Sequence, residues 1–484
     1  MTPFGPWLPD QPIILNGHLR DAQNVTPKQS SYGPFKALTS GTEALGSRPY
    51  GGAGSFRDAS GATHVFVGTE QDLFELQDDG SWGDVSRVSG GAYTTGLTSF
   101  WRFVQFGDLC IATNWNDAPQ VFTMSSDTNF AALGGSPPQA RHIHTFRDFV
   151  VLGHTDNSAF EIAWSGINDA ESWTAGTDQS DTQILPDGGI VQGFAGSDVL
   201  YIFQQARIRR MQYVGPPLIM QIDPITDSLG CAEPGSIAQF AGGAAFLSND
   251  GFYMLQQDTL TPIGADMVDE WFRDDFNESY KYRMTAAADT KAKLIYWSYP
   301  STQSVTGTPD TILMYNWTAK RWAYARQDNE GISRVYALGY TLDGLDALTT
   351  NIDNFDVPLD DQSLTGGNLQ VNGFGSTYQL GPFSGDALEA TIVTGDFEVH
   401  TSKRTFVSGV EPFVDTTEVT VATSARERMG DSIVYDSAEP IEVTGIASAE
   451  SNGRFHRFRC VVASGATWDD ATGIDIEAQL EGEA

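Results

Sequence analysis

Short apolar blocks recur along the chain, each following an aromatic residue and a polar turn. They appear as SFRDASGATHVFVG (55–68), QFGDLCIATN (105–114), TFRDFVVLGH (145–154), GFAGSDVLYIF (193–203) and QFAGGAAFLSNDGFYML (239–255). The leading residues Phe56, Phe106, Phe146, Phe194 and Phe240 stand 50, 40, 48 and 46 residues apart. Each copy predicts a hairpin, with a strand, a Gly/Asp turn and a second strand. Further turns at DDGSW (78–82), NDAPQ (116–120) and NDAESW (168–173) leave room for three or four short strands per period. A period in the forties built that way predicts a propeller blade. Weaker copies at AAADTKAKLIYWSY (286–299) and GYTLDGLDALTTN (339–351) bring the expected count to six or seven blades. Helical solenoids do not fit, because the apolar residues alternate or run in blocks.

One segment, 265–283, has helical spacing, with Met267, Val268, Trp271, Phe272 and Phe276 on one side and Asp266 or the preceding Gly as the expected cap. After it the character changes. Residues 343–373 carry Asp343, Asp346, Asp353, Asp356, Asp360 and Asp361 with no basic residue, the signature of an exposed acidic connection. From about 374 a second β pattern begins, with EATIVTGDFEVH (389–400), TEVTVATSA (417–425), EPIEVTG (439–445), RFHRFRCVVAS (454–464) and GIDIEAQLEG (473–482). Its alternation predicts a sandwich or jelly roll. The expected chain is therefore all-β. An N-terminal segment (1–47) packs on a platform, followed by a propeller (48–350), an acidic connection (351–373) and a C-terminal sandwich platform (374–484) to which that segment contributes.

Charge changes the functional picture. The 484 residues hold 28 Lys and Arg against 62 Asp and Glu, a net charge of −34. A protein that grips nucleic acid needs a cationic footprint to displace counterions, and the densest basic run here is RIRR (207–210). That run reads as a charge-protected edge strand, or alternatively as a subunit contact. Residues 1–15 lack a basic leader, and the longest apolar stretch, AQFAGGAAFL (238–247), is too short to span a membrane. Cys110, Cys231 and Cys460 lie far apart and read as buried free thiols.

Chemistry is sparse. No phosphate loop, HExxH, GxSxG elbow or EF-hand occurs. His142, His144 and His154 could converge from two adjacent strands as a zinc site would require, but they lack supporting Cys or carboxylate spacing and read first as structural histidines. Adjacent acids (Asp78-Asp79, Asp274-Asp275, Asp360-Asp361, Asp469-Asp470) could feed a glycosidase pair only by meeting acids from other segments, and read first as turns.

Several stretches carry a resemblance. The opening PWLPDQPIILNGHLRDAQNVTPKQSSYGPFKAL (6–38) resembles the start of the tail nozzle or hub proteins of short-tailed bacteriophages, also called packaged-DNA stabilisation proteins. IATNWNDAPQVF (111–122), AWSGINDAESW (163–173), LEATIVTGDFEV (388–399) and GRFHRFRCVVASGATWDDATGIDIEAQLEG (453–482) are similar to further runs of that family. The ending LEGEA departs from the family's basic C-terminus.

The resemblance implies a structural virion protein of the tail, assembled in the host cytoplasm, with no enzymatic activity and no cofactor. It implies a ring, commonly a hexamer, below the portal and adaptor, carrying spikes, fibres or a needle. Double-stranded DNA would be held back and then pass without sequence-specific binding. In that setting the six aspartates named above become candidates for the channel or tip. Leu19, Val25, Tyr32, Phe35, Arg454, Arg457, Arg459 and Trp468 become candidates for a docking platform. Two other classes compete with it. One is a tail-associated propeller glycoside hydrolase acting on host surface polysaccharide, and the other is a cytoplasmic propeller scaffold.

Overall fold

A computed structural model describes residues 1–12, 17–337, 367–400 and 403–480. The recurring blocks fold as seven four-stranded antiparallel blades. Their innermost strands are Gly54–Arg57, Arg102–Phe106, Ala140–Phe146, Val191–Gly196, Ala238–Phe240, Thr285–Asp289 and Ile332–Tyr336. Consecutive blades touch along these strands, the fourth inner strand meeting Gly243–Ser248 of the fifth blade, and the seventh touches the first, so the ring is closed. The repeated phenylalanines mark the inner strands: Phe56, Phe106, Phe146, Phe194 and Phe240 sit at or near the point where each turns back.

Neighbouring inner strands are too splayed to form a ladder, so side chains tie them together. Thr145 Oγ1 donates to the Gln105 carbonyl at 2.8 Å. The Ile332 and Tyr336 amides donate to Thr285 Oγ1 and Ser55 Oγ at 2.9 and 3.0 Å. Close approach demands glycine at some of these seams. A Cβ on Gly54 would lie 2.5 Å from Cβ of Phe103 in the next blade.

The seventh blade corrects the expected boundaries. Its strands are Ile332–Tyr336, Leu369–Phe374, Leu380–Ala387 and, outermost, Lys36–Leu38 from the N-terminal segment. The propeller thus runs to residue 387 rather than 350, and 369–387 belong to it rather than to a connection or the platform. The copy read at 339–351 and most of the acidic run lie outside the described residues; the seventh inner strand comes just before them. A propeller is closed by joining its two ends, and here the N-terminal segment supplies the last strand.

The platform is two packed sheets. One has the order Val25–Pro27, Tyr32–Pro34, Ala471–Leu480, Thr405–Val414, Ala447–Gly453, with Thr2–Pro3 also paired to Ala471–Leu480. The other has the order Leu19–Gln23, Ala390–Thr394, Phe455–Val462, Val419–Arg426, Glu439–Pro440. Leu19–Gln23 also lies parallel to Arg321–Arg326, the outer strand of the sixth blade, through Gln23 and Tyr324. This fuses blade and platform into one nine-stranded sheet. A single apolar core runs through both, from Phe252, Trp297 and Trp322 in the blades to Val407, Phe458 and Ile474 in the platform.

The helical segment is shorter than its pattern suggests: an α-helix over Asp269–Asp275, then a 3₁₀ turn over Glu278–Arg283, placed between the fifth and sixth blades. Its cap is not Asp266. The Asp10 carboxylate accepts from the amides of Glu270 and Trp271 at 2.8 and 2.9 Å, so the N-terminal segment satisfies the helix's unpaired donors.

Candidate functional site

The seven inner strands enclose a channel of about 890 Å³. About a third of its wall is glycine and alanine, such as Gly52, Gly193, Gly243 and Ala286–Ala288, which leaves room where seven strands converge. Its charged lining is Arg102, Arg334 and Asp198, so the acidic surplus of the chain lies elsewhere.

At the end where the inner strands begin, a side chamber of about 210 Å³ opens between the second and fifth blades, sharing Phe100, Arg102, His142 and Pro234 with the channel. Arg102 heads the inner strand of the second blade, and Trp115 follows that blade's second strand in a left-handed conformation (φ 77°). Arg141 and His142 begin the third inner strand, and His154 closes the strand after it (φ 55°). Glu233 precedes the fifth blade. The Arg141 guanidinium lies over the Trp115 ring at 4.8 Å, and the His154 ring meets Trp115 edge-on at 5.0 Å.

His142 and His154 do converge, with ring centroids 6.2 Å apart. His144, however, points to the next blade, where its Nε2 meets the Gly196 carbonyl at 2.7 Å. His142 and His144 share one face of the strand, but His142 sits at the mouth of the channel while His144, one pleat further along, is consumed in an interblade seam. Among the described residues no group of three or more His, Cys, Asp or Glu is placed to hold a metal ion. Burial holds His142 well below the usual imidazole range and His154 at about 4, so both rings are neutral near pH 7. Burial pushes Glu233 up to about 7, against the pull of Lys281 and Arg102. The three cysteines are buried and unpaired.

The platform candidates fall into two groups. Leu19, Val25, Tyr32, Phe35 and Trp468 are buried in the shared core. Tyr32 is covered by the Arg321 guanidinium at 4.3 Å, and Phe35 packs on Phe383 at 5.3 Å. They pack the N-terminal segment against the C-terminal β-domain and so bind the chain's own two ends together. Arg457 shares the buried carboxylate of Asp396 with Arg426, its Nε lying 3.0 Å away. Arg459 covers the Tyr435 ring at 4.5 Å, and half-exposed Arg454 pairs with Glu398 at 2.7 Å. Of the eight, Arg454 keeps the most accessible charge. The six aspartates Asp343, Asp346, Asp353, Asp356, Asp360 and Asp361 lie outside the described residues.

The RIRR run is not at an edge. It opens the third strand of the fourth blade, flanked by Leu200–Gln204 and Ile219–Thr226. Its arginines are matched one by one: Arg207 and Arg209 to Asp187, and Arg210 to Asp258 at 2.7 Å. The adjacent acids are likewise occupied. Asp79 takes the Ser81 amide in a turn, Asp275 pairs with Arg326, and Asp470 holds Lys28 and Ser31. The chamber at the channel mouth was the part that sequence reading missed. Its only signal was the His142/His154 pair, because its other groups come from blades about 40 to 130 residues apart.

No family model and no curated protein matches the chain. Among solved structures it is similar to the extracellular domain of the BT4673 system of B. thetaiotaomicron, at 10% identity and a TM-score of 0.42, over 86% of this chain and 47% of that one. It is also similar to BamB from Moraxella catarrhalis, at 12% identity and a TM-score of 0.35, over 78% and 95% of the two chains. Virginiamycin B lyase from Staphylococcus aureus gives 12% identity and a TM-score of 0.37, over 64% and 91%. The chain spans about half the length of the first of these. These likenesses are of fold alone.

Proposed function

We propose that this protein is a structural component of a short-tailed bacteriophage virion, a tail nozzle or hub that retains packaged DNA and forms part of its exit. The observation that carries the reading is the joining of the two runs that bear the resemblance. Residues from 6–38 and 453–482 share both platform sheets: they pair directly in one, as in Tyr32 with Ala471, and in the other Leu19–Gln23 reaches Phe455–Val462 through Ala390–Thr394. A platform built from both ends of the chain and welded to a propeller suits a subunit that must stay rigid under the pressure of packaged DNA.

The net charge of −34 supports it physically: a surface of like charge offers a sliding polyanion no sites. In this reading the conduit is the space enclosed by several subunits, not the propeller's own channel, whose lining carries Arg102 and Arg334 against Asp198. The partners are other copies of the chain, in a ring of six by the family resemblance, with the portal and adaptor on one side and spike, fibre or needle proteins on the other. The activity is steric and electrostatic, not enzymatic, and requires no cofactor. The test is to mix the purified protein with its portal–adaptor complex and measure particle mass and negative-stain images. A ring on the adaptor is expected; a protein that stays monomeric there overturns the reading.

A further inference from the structure

We propose that the side chamber at the mouth of the propeller channel is a binding site for a small hydroxylated carboxylate, an acid of about monosaccharide size. This does not depend on the virion reading and can fail separately from it.

The chamber contains polar groups that the protein itself leaves unanswered. His142 is 4% exposed, and neither of its ring nitrogens makes a well-formed hydrogen bond among the described residues. Arg141 Nε is buried without a hydrogen-bond partner; its guanidinium stacks over Trp115 and its one hydrogen bond is a long one, to the Thr98 carbonyl at 3.4 Å. Arg102 makes no hydrogen bond or ion pair through its guanidinium among the described residues, although Glu233 is near enough to act on it. Burying a guanidinium or an imidazole without partners is costly, and native interiors rarely leave such groups unmatched. Elsewhere in this acid-rich chain most buried arginines have a carboxylate partner, as Arg209 has Asp187 and Arg457 has Asp396, even where one nitrogen is left over, as on Arg457.

The chemistry of the ligand follows from the donors and acceptors. Two guanidiniums with free N–H groups call for an anion, and their planar fork suits a carboxylate. Neutral His142 offers one donor and one acceptor, His154, whose Nδ1 faces the Val191 carbonyl at 3.4 Å, offers an acceptor, and Glu233 adds an oxygen pair. Those acceptors are best met by hydroxyl groups, so a bare inorganic anion would leave them unsatisfied. The volume, about 210 Å³, admits a small acid but not a folded chain.

Glu233 sets a sign. With its carboxyl at about 7, it is largely protonated at pH 6, where it can donate to the ligand, and ionised at pH 8, where it repels it. The other groups facing it do not change charge over that interval. Arg102 and Arg141 stay cationic, His142 and His154 stay neutral, and the Cys231 thiol, pushed up to about 12, stays neutral. Affinity should therefore fall about tenfold from pH 6 to pH 8.

The experiment is calorimetric titration of the full chain with D-glucuronate and with citrate at fixed ionic strength, using glucose and inorganic phosphate as controls. Saturable binding of an acid at one site is expected, with little from glucose or phosphate. Arg141→Gln and His142→Phe should each weaken it at least tenfold, and Glu233→Gln should bind with the pH dependence removed. Circular dichroism and melting confirm that each variant is folded; if one is not, the rise in melting temperature of the unaltered protein with glucuronate over glucose carries the test. Absence of saturable binding and of a melting shift with either acid, or unchanged affinity in folded variants, overturns the proposal.

Discussion

Asp396 shows how a single residue can hold a strongly acidic chain together from within. Its carboxylate is 2% exposed and answers both Arg426 and Arg457, while Arg426 Nη1 also donates to the carbonyls of Met429 and Asp431 at 2.9 and 3.0 Å. Removing one partner of a buried ionic group leaves the others charged and unsolvated. Asp396→Ala should therefore lose about 3–5 kcal/mol, measured as a shift in denaturant midpoint. Trp7 makes a similar case in apolar terms. It is fully buried, meets Trp271 edge-on at 4.8 Å and lies 5.1 Å from Tyr324, so Trp7→Ala should lose about 3–5 kcal/mol by the same measurement. Trp7 was legible as an apolar residue in an unusual leader. Its partners, some 260 and 320 residues away, were not.

At the scale of elements, the N-terminal segment is the part with the most consequences. Within its first 38 residues it caps a helix through Asp10, bridges blade and platform through Leu19–Gln23, adds strands to a platform sheet and closes the seventh blade. Asn24 sits at the junction in a left-handed conformation (φ 57°). Its side chain donates to the Glu389 carbonyl at 2.7 Å and accepts from the Arg326 amide at 2.8 Å. Deleting residues 1–38 should thus open the propeller as well as the platform. Limited proteolysis is expected to show early cleavage in 369–387, the middle strands of the seventh blade, and not only near the truncation. Asp10→Ala alone should cost about 1 kcal/mol, the usual worth of a helix cap.

Across the whole molecule, acidity governs stability. Asp21, Asp269 and Glu233 are raised by burial to about 6, 6 and 7. A carboxyl whose folded pKa exceeds its unfolded value binds more protons in the native state, so its stabilising contribution is present at low pH and is lost as pH rises through the folded pKa. The window here runs from about pH 4 to pH 7. Repulsion among 62 carboxylates, offset by only 28 cationic side chains, acts in the same direction. The buried His142 and His154, held neutral, act in the opposite direction below about pH 6.5. The carboxyl contribution should therefore appear as a difference between proteins: from pH 5.5 to pH 8 the melting temperature of an Asp21→Asn, Asp269→Asn, Glu233→Gln variant should fall less, or rise more, than that of the unaltered protein. The same charge predicts no retention of double-stranded DNA in a mobility-shift assay at physiological salt, and a retained complex would contradict the conduit proposed above.

The sequence by itself determined the class of fold. Strands with a period in the forties, each opened by an aromatic and a polar turn, can bury their apolar faces only by stacking around an axis, and local spacing records that requirement. It likewise placed a second β-domain toward the C-terminus, because alternation is a local property. Tertiary structure decided whatever depends on closure. The seventh blade takes its outer strand from residues 36–38, so neither the blade count nor the end of the propeller could be read along the chain. Closure also buried Leu19, Val25, Tyr32, Phe35 and Trp468 as internal seams. It brought Arg102, Arg141, His142 and Glu233 to one chamber from three different blades. Periodicity reports which face of a strand is apolar; only the angle between blades decides which polar groups meet at the axis.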